Sequence, residues 1–567
     1  MGATKEIIRT LTAKCKGCYR CVRACPVKAV GIKDNQSFVD ASRCILCGNC
    51  IRECPQNARV YRNDIDVAAD LLASGRVVAS VAPSFSSIYS GWKANCFPSA
   101  LRQLGFFKVT ETAEGAAVIA GQMEKTYRDP LQGATISAVC PTVVNYVEKY
   151  SPEHLDKLFP FASPMVAHAR ILKKHFGENI KVVFIGPCVA KKFEAQRPEF
   201  EGDVDLVLTF NEVNEWLEKE GISLDNCPES GFDNFYPLGK AKLFSIPGGM
   251  LKTMGIAQID NDAQIVQASG LDQVKMLFDD PQTLNGLELM ELLACPGGCI
   301  NGVGIESEEN VFQRRANVIN YAARKPVLPE KKKAQAPNIE LRTVFKSQAN
   351  REEEITEEQI SEVFLQMDKK DPESLLDCGA CGYPSCRDKA KAVLLGLTEI
   401  ENCVPYMRKL AQQRRDKIVE SSPDGIVILD GALNILSMNA SFCQYFSCDN
   451  SLLGKNISYL LDAQNFEKVA TGAETQTATI ISCYGREFHE VVYRLPEENQ
   501  YVGIYTDISG QLLTEAKIER LKTETVEKAR ELMEHQIQVA QTMAKFLGEN
   551  TARSEELVER LMSIYEG

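Results

Sequence analysis

The chain has 567 residues, 44% apolar and 25% charged, with a formal charge of −12. At roughly 150 residues per domain this length predicts about four domains, and the apolar share suits packed cores rather than a disordered chain. The acidic balance excludes a phosphate-seeking nucleic-acid surface, no apolar run reaches the ~18 residues of a membrane span, and Met1–Glu6 shows no signal-peptide pattern. A cytoplasmic protein with neither nucleic acid nor membrane as partner is expected. There are 21 cysteines and 5 histidines. Where thiols stay reduced, clustered cysteines read as metal ligands, and so few histidines favour all-thiolate iron–sulfur sites over mixed Cys/His zinc.

Residues 1–62 carry Cys15, Cys18, Cys21 and Cys25 followed by proline, then Cys44, Cys47, Cys50 and Cys54 followed by proline. Both runs are C-x2-C-x2-C-x3-C-P, which resembles a two-cluster bacterial ferredoxin. The resemblance implies one 4Fe–4S cluster on Cys15, Cys18, Cys21 and Cys54 and another on Cys44, Cys47, Cys50 and Cys25; two zinc knuckles are the alternative. A ferredoxin passes electrons and does no substrate chemistry, so it must exchange them with something further along the chain.

Residues 66–325 read as α/β. The β-branched runs 77–81 and 181–185 alternate with helical stretches such as 97–105 and 165–176. Four cysteines lie at or near the ends of such elements: Cys140 before Pro141, Cys188 after Pro187, and Cys295 and Cys299 flanking Pro296-Gly297-Gly298. They offer four thiolates, two of them on a loop whose glycines permit close approach to a cofactor, with inert buried thiols as the alternative. In order and spacing the three segments resemble the signature motifs of the FeFe-hydrogenase catalytic domain. That family holds an H-cluster, a 4Fe–4S cubane linked through one cysteine to a di-iron unit with CO and CN ligands. The resemblance implies cubane ligation by Cys140, Cys188, Cys295 and Cys299, a bridge from Cys299, and a hydrogen bond from Lys191 to a bound cyanide.

Several positions depart from the family. Val139 replaces the cysteine that relays protons to the di-iron unit and cannot exchange a proton. Gly186 replaces a methionine that packs on that unit, and Val303 interrupts the closing glycine run. Alignment sets Phe159 where the proton path has a serine, and follows Glu124 with Tyr127 in place of a second glutamate, leaving a water chain or Glu124 as substitutes. A missing relay removes acid–base assistance worth typically ~10²–10⁴-fold, which fits binding and slow response better than high flux.

A charged, proline-bearing linker over 324–337 is expected next, with Lys331, Lys332 and Lys333 at its centre, then an acidic helix over 351–370. Cys378, Cys381, Cys386 and Cys403, spaced C-x2-C-x4-C-x16-C, resemble the single 4Fe–4S domain of redox and corrinoid proteins, with the helix 387–400 returning Cys403 to the site; zinc is the alternative. This small 4Fe–4S domain is set at 340–412. Residues 413–510 resemble a PAS domain on the strength of Asp424-Gly425 before a strand, Asn439-x-x-Phe442 and the closing Asp507-Ile508. Its Cys443, Cys448 and Cys483, like Cys96 and Cys227, read as buried or incidental thiols, with a redox or ligand role for the three in the PAS segment as the alternative, and His489 as a poor haem ligand. The tail 511–567 reads as a helix with a heptad seam at Val526, Met533, Ala540 and Leu547, blunted by Arg530, which points to a homodimer.

Together these readings describe a multidomain α+β and α/β chain. It comprises the ferredoxin module, the hydrogenase-like H-cluster domain, the small 4Fe–4S domain, the PAS domain and a C-terminal helix, with an H-cluster and three further 4Fe–4S clusters. The expected function is that of a sensory FeFe-hydrogenase. It would bind and slowly, reversibly oxidise H2 to protons and electrons, and signal through the PAS domain to a partner protein, a kinase or phosphatase. The alternatives are a bidirectional catalyst exchanging electrons with a soluble carrier, and an iron–sulfur redox sensor lacking the di-iron unit.

Overall fold

The paired cysteine runs sit on a backbone that repeats itself. In the computed structural model, which describes residues 6–128, 135–256, 264–324, 339–349, 355–495, 499–509, 524, 527 and 528, left-handed residues recur at Gly17 and Leu46, Tyr19 and Gly48, and Lys28 and Asn57. Each pair has the spacing that separates Cys15 from Cys44. The two residues of the second pair, Tyr19 and Gly48, each lead the chain into a short helix, Arg20–Ala24 and Asn49–Arg52. The strand Ile8–Thr10 pairs antiparallel with Arg59–Tyr61, and Val30–Lys33 forms a hairpin with Gln36–Val39. Asp34 and Asn35, both at positive φ, make the two-residue turn whose twist matches the strands.

The chain divides into two compact units, 1–402 and 403–567. The boundary falls inside the 340–412 segment of the sequence reading. In the first unit the α/β expectation holds. Parallel strands lie in the order Lys108–Glu111, Val77–Val81, Lys181–Gly186 and Leu206–Thr209, and Val77–Val81 is buried throughout, as a strand covered on both faces requires. A second parallel pair joins Ile265–Ser269 to Leu289–Leu293. The helix Lys93–Gln103 takes in the first predicted stretch up to 103, where left-handed Gly105 follows, and Pro164–Phe176 covers the second.

Two helices differ from expectation for local reasons. The acidic helix begins only at Glu357, because Thr356 and Gln359 form a reciprocal capping box there. The helix after Cys386 ends at Leu394 rather than 400. Gly396 turns left-handed and the Leu397 N–H returns to the Ala392 carbonyl at 2.9 Å, a Schellman closure. The expected linker core 325–338 and the heptad seam of the tail lie outside the described residues.

The second unit contains a five-stranded antiparallel sheet in the order Ile435–Met438, Gly425–Leu429, Gln500–Asp507, Arg486–Leu495, Gln476–Cys483. Its core gathers Phe442, Phe446, Phe466, Phe488 and Tyr505. Asn439 is fully buried; its side chain accepts from the Phe442 and Ile426 N–H groups and donates to the Val419 and Asp424 carbonyls. One amide thus caps the helix and fixes strand entry. Among the described residues no helix is long and apolar enough to cross a membrane.

Two buried charges in the first unit carry measurable consequences. Lys192, 1% exposed, holds Asp64 at 2.8 Å, Glu212 at 2.9 Å and the Val207 carbonyl at 2.9 Å, tying the end of the ferredoxin module to the sheet. Lys192→Met leaves Glu212 buried without its cation and Asp64 with Arg62 alone, and is expected to cost about 3–5 kcal/mol, read as a lower denaturation midpoint for Trp92 and Trp216 fluorescence. Glu291 sits in an otherwise apolar strand; one carboxylate oxygen accepts from the Met250 N–H at 3.2 Å and the other has no partner. Burial pushes its carboxyl up to about 7, against the backbone N–H groups of Met250, Leu251 and Gly248. Folding therefore gains from the protonated acid below about pH 4.5 and loses that gain as pH rises through about 7. Glu291→Gln is expected to flatten this dependence, by up to about 3 kcal/mol, in unfolding measured across that range.

Candidate metal centre

The four central cysteines come from three separate stretches and meet because of where their elements end. Cys188 follows the strand Lys181–Gly186, Cys295 follows Leu289–Leu293, and Cys140 precedes the helix Pro141–Tyr150, whose first residue is a proline suited to that position. Sites at the carboxyl ends of parallel strands are the usual outcome of this architecture. Cys299 starts a short 3-10 turn one residue after Gly298, where a Cβ would lie 2.7 Å from the Ser245 carbonyl oxygen. At Gly302 a Cβ would meet the Pro187 oxygen at 2.4 Å, while the Gly304 N–H donates to that oxygen at 3.0 Å. Backbone therefore packs on backbone, and the third motif is pressed against the second.

Electrostatics report the convergence of the thiols. Burial pushes Cys299 well above the ordinary thiol range, and the nearby Cys140, Cys295 and Cys188 add to it. Burial and then Cys188 and Cys140 lift Cys295 to about 12; burial and then Cys140 lift Cys188 to about 11. Two cations oppose this: Lys191 acts on Cys188 and Cys299, and Arg52 on Cys295. Thiols so disposed release their protons only to a strongly charged ligand, which iron supplies. No three His, Cys, Asp or Glu side chains among the described residues close on a single metal ion. An all-sulfur donor set with flanking cations fits a multi-iron cubane, in which each iron takes one thiolate.

The ferredoxin module shows the same grouping. Cys15, Cys18, Cys21 and Cys54 line one cavity with Tyr19, Ser37 and Arg59. Cys25 acts electrostatically on Cys44, Cys47 and Cys50, each raised chiefly by burial. The N–H groups of Ala29 and Ala58 reach the Cys25 and Cys54 sulfurs, both at 3.2 Å. Arg59, 2% exposed, bonds Thr10 at 2.6 Å and Ser37 at 3.0 Å and lies 3.8 Å from the Cys21 sulfur. That buried cation beside a cluster site was not singled out in the sequence, where it reads as one of many arginines.

Sequence departures acquire local explanations. A Cβ at Gly186 would meet the Phe184 ring at 2.5 Å, so the ring two residues earlier fills the space of the absent methionine. Val303 abuts Gly48, where a Cβ would lie 2.7 Å from its methyl carbon, and Arg52 bonds the Asn301 carbonyl at 2.6 Å. The Cys295–Cys299 loop therefore seats directly on the Cys44–Cys54 segment. Tyr150 and Lys149, on the helix that Cys140 precedes, bond the Arg43 and Cys44 carbonyls at 2.6 and 2.8 Å. Lys191 is paired with Glu194 at 2.5 Å, a partner the sequence reading did not weigh. Val139, Tyr127 and Phe159 belong to one apolar cluster with Met123 and Met250, and Glu124 is ion-paired with Arg128 at 2.8 Å.

The third cysteine group is placed in part. Cys378 is exposed and Cys381 and Cys386 half-buried in the first unit, whereas Cys403 opens the second unit, ahead of the helix Val404–Glu420. The Cys378–Cys386 loop lies against the ferredoxin module: Arg23 bonds the Ala380 carbonyl at 3.2 Å, and Lys28 the Gly382 carbonyl at 3.0 Å. Tyr383 feels both Cys381 and Cys25.

Comparison with known proteins agrees with this layout. Residues 75–303 match the family "Iron only hydrogenase large subunit, C-terminal domain", 7–55 a 4Fe-4S dicluster domain, 376–405 an Fe-S cluster domain and 414–479 a PAS domain. The NADP-reducing hydrogenase subunit HndD of Solidesulfovibrio fructosivorans is 27% identical over 349 residues, 51% of this chain and 55% of that protein. The periplasmic [Fe] hydrogenase large subunit of Nitratidesulfovibrio vulgaris is 26% identical over 256 residues, 36% of this chain and 61% of that one. The cytosolic Fe-S cluster assembly factor narfl of Xenopus tropicalis is 25% identical over 317 residues, 43% of this chain and 66% of its own. The chain thus spans little more than half the length of the first of these relatives. A variant of [FeFe]-hydrogenase HydA1 from Chlamydomonas reinhardtii aligns at 17% identity and a TM-score of 0.40, covering 51% of this chain and all of that one. With its hydrogenase large-subunit domain preceded by a dicluster domain and followed by a PAS domain, the chain is a PAS-containing FeFe-hydrogenase-like protein.

Proposed function

We propose that the chain is a sensory hydrogenase, which binds H2 and oxidises it slowly and reversibly (H2 to two protons and two electrons) and converts the resulting change of charge into a signal. Cys140, Cys188, Cys295 and Cys299 would hold the cubane of an H-cluster, and Cys299 would bridge to its di-iron unit. When bound, that group supplies the open iron at which H2 is polarised and its electrons are taken up. Lys191 would turn from Glu194 toward an anionic ligand of that group, a charge-assisted contact that holds it in place.

The observation that carries the slow, sensory reading is the shared apolar cluster of Val139, Tyr127 and Phe159. None of the three is an acid or base at neutral pH, so protons find no side-chain relay along that line. Electrons are better served. The Cys295–Cys299 loop abuts the Cys44–Cys54 segment, and the Cys378–Cys386 loop abuts the other side of the module through Arg23 and Lys28. Two clusters in the ferredoxin module and a third on the Cys378 loop would accept charge in sequence and bias the PAS domain, whose output would be read by a separate kinase or phosphatase.

Infrared spectra of anaerobically matured protein, under argon and then H2, test the reading. Bands of bound CO and CN that shift on H2 are expected. Their absence would leave an iron–sulfur redox sensor. Val139→Cys is expected to raise dye-linked H2 oxidation by far less than the ~10²–10⁴-fold of a complete relay, because Phe159 and Tyr127 still interrupt it. A gain of that full size would overturn the apolar-barrier argument, and high turnover by the unmodified chain would identify an ordinary bidirectional catalyst.

A further inference from the structure

Three PAS cysteines take no part in any cluster described above, and two of them are brought together by the way one helix stops. The helix Ala440–Tyr445 passes through Phe446 to Ser447, which is left-handed at φ 51°, and the Cys448 N–H returns to the Cys443 carbonyl at 3.0 Å. This is a Schellman closure, in which the side chains at the two bonded positions normally make an apolar contact. Here both are cysteines, joined by that backbone bond. A direct backbone bond of this kind holds the two Cα atoms near the ~5.5 Å that a disulfide spans.

Both thiols are half-buried against the core that contains Phe442 and Phe446, and the Cys448 sulfur lies 4.0 Å from that of Met438. Burial, and after it Cys443, pushes the Cys448 thiol up to about 12. Cys448 therefore holds its proton more firmly than an ordinary thiol, which slows its own attack on a disulfide. Cys483 packs against the same core.

We propose that Cys443 and Cys448 are a redox-active dithiol that closes to a disulfide against low-molecular-weight disulfides, clamping the end of the PAS helix. Cys443 as thiolate attacks the oxidant RSSR, forming a mixed disulfide and expelling RS⁻. Cys448, giving up its proton to the RS⁻ released in the first step, then displaces the second RS⁻. The sum is two protein thiols and RSSR giving one protein disulfide and two RSH, so the two electrons leave the protein for the oxidant and protons balance. The PAS domain would then answer to the thiol pool independently of whether the central domain binds H2.

The test uses the full chain, anaerobic and loaded with its clusters, in buffers of graded reduced to oxidised glutathione, with trapping by alkylation and tryptic mass mapping. The peptide 418–455 contains no cysteine other than Cys443 and Cys448. It is expected to lose both alkyl groups together as the buffer becomes oxidising, leaving a peptide two hydrogens lighter than the free dithiol. Cys448→Ser should stop at a glutathione adduct on Cys443, and Cys483→Ser should leave closure unchanged. Two alkylated thiols at every ratio, a stable adduct on the unmodified pair, or closure that requires Cys483 would each overturn the proposal.

Discussion

The central domain is organised around four half-buried thiols brought near enough to act on one another. Sulfurs so placed raise one another's affinity for protons, and burial raises it further, as at Cys295 and Cys299. Such an arrangement is a poor way to stabilise an empty protein and suits a multi-iron cluster among the thiols. The surrounding design follows from that. Arg52 and Lys191 stand beside the thiols, and the glycines at 298, 302 and 304 remove the side chains that would otherwise hold the loops apart.

The ferredoxin module is built into this arrangement rather than appended to it. Arg52, which acts on Cys295, belongs to the module, and Lys192, deep in the central domain, closes on Asp64 at the module's end. The same module receives the Cys378–Cys386 loop, with Lys28 bonding Gly382 and the Ile32 N–H bonding Leu397. One small fold thus touches both the hydrogenase-like site and the downstream cysteine loop. A relay needs that placement, since electron transfer depends on short separations between centres.

Much of this was legible in the sequence, because cysteine spacing encodes local loop geometry and local geometry is what a short motif records. The repeated C-x2-C-x2-C-x3-C-P runs, the three motif segments and the Asn439-x-x-Phe442 helix start all appear where the residues placed them. What escaped were effects that pair distant positions. Nothing near Gly186 announces that Phe184 takes the space of a missing methionine, and nothing near Lys192 says that Asp64 waits for it. The end of the helix after Cys386 was misplaced because Gly396 was not weighed as a left-handed stop. The pairing of Cys443 with Cys448 was missed in the same way, since it depends on a backbone reversal at Ser447, a residue with no special propensity to announce one.

The contact of Val303 with Gly48 bears on how such chains can be recombined. Gly48 needs a left-handed φ of 78°, and its missing side chain is also the recess that receives a valine of the hydrogenase-like domain. The Cys44–Cys54 segment and the loop after Cys299 are keyed to each other by one residue on each side. A chimera that grafts a foreign electron-transfer module onto this domain would keep every cysteine in register and still fail to seat if it carried any side chain at that position. The interchangeable unit is therefore the module together with its matching valine, and a boundary drawn between 62 and 66 cuts through it.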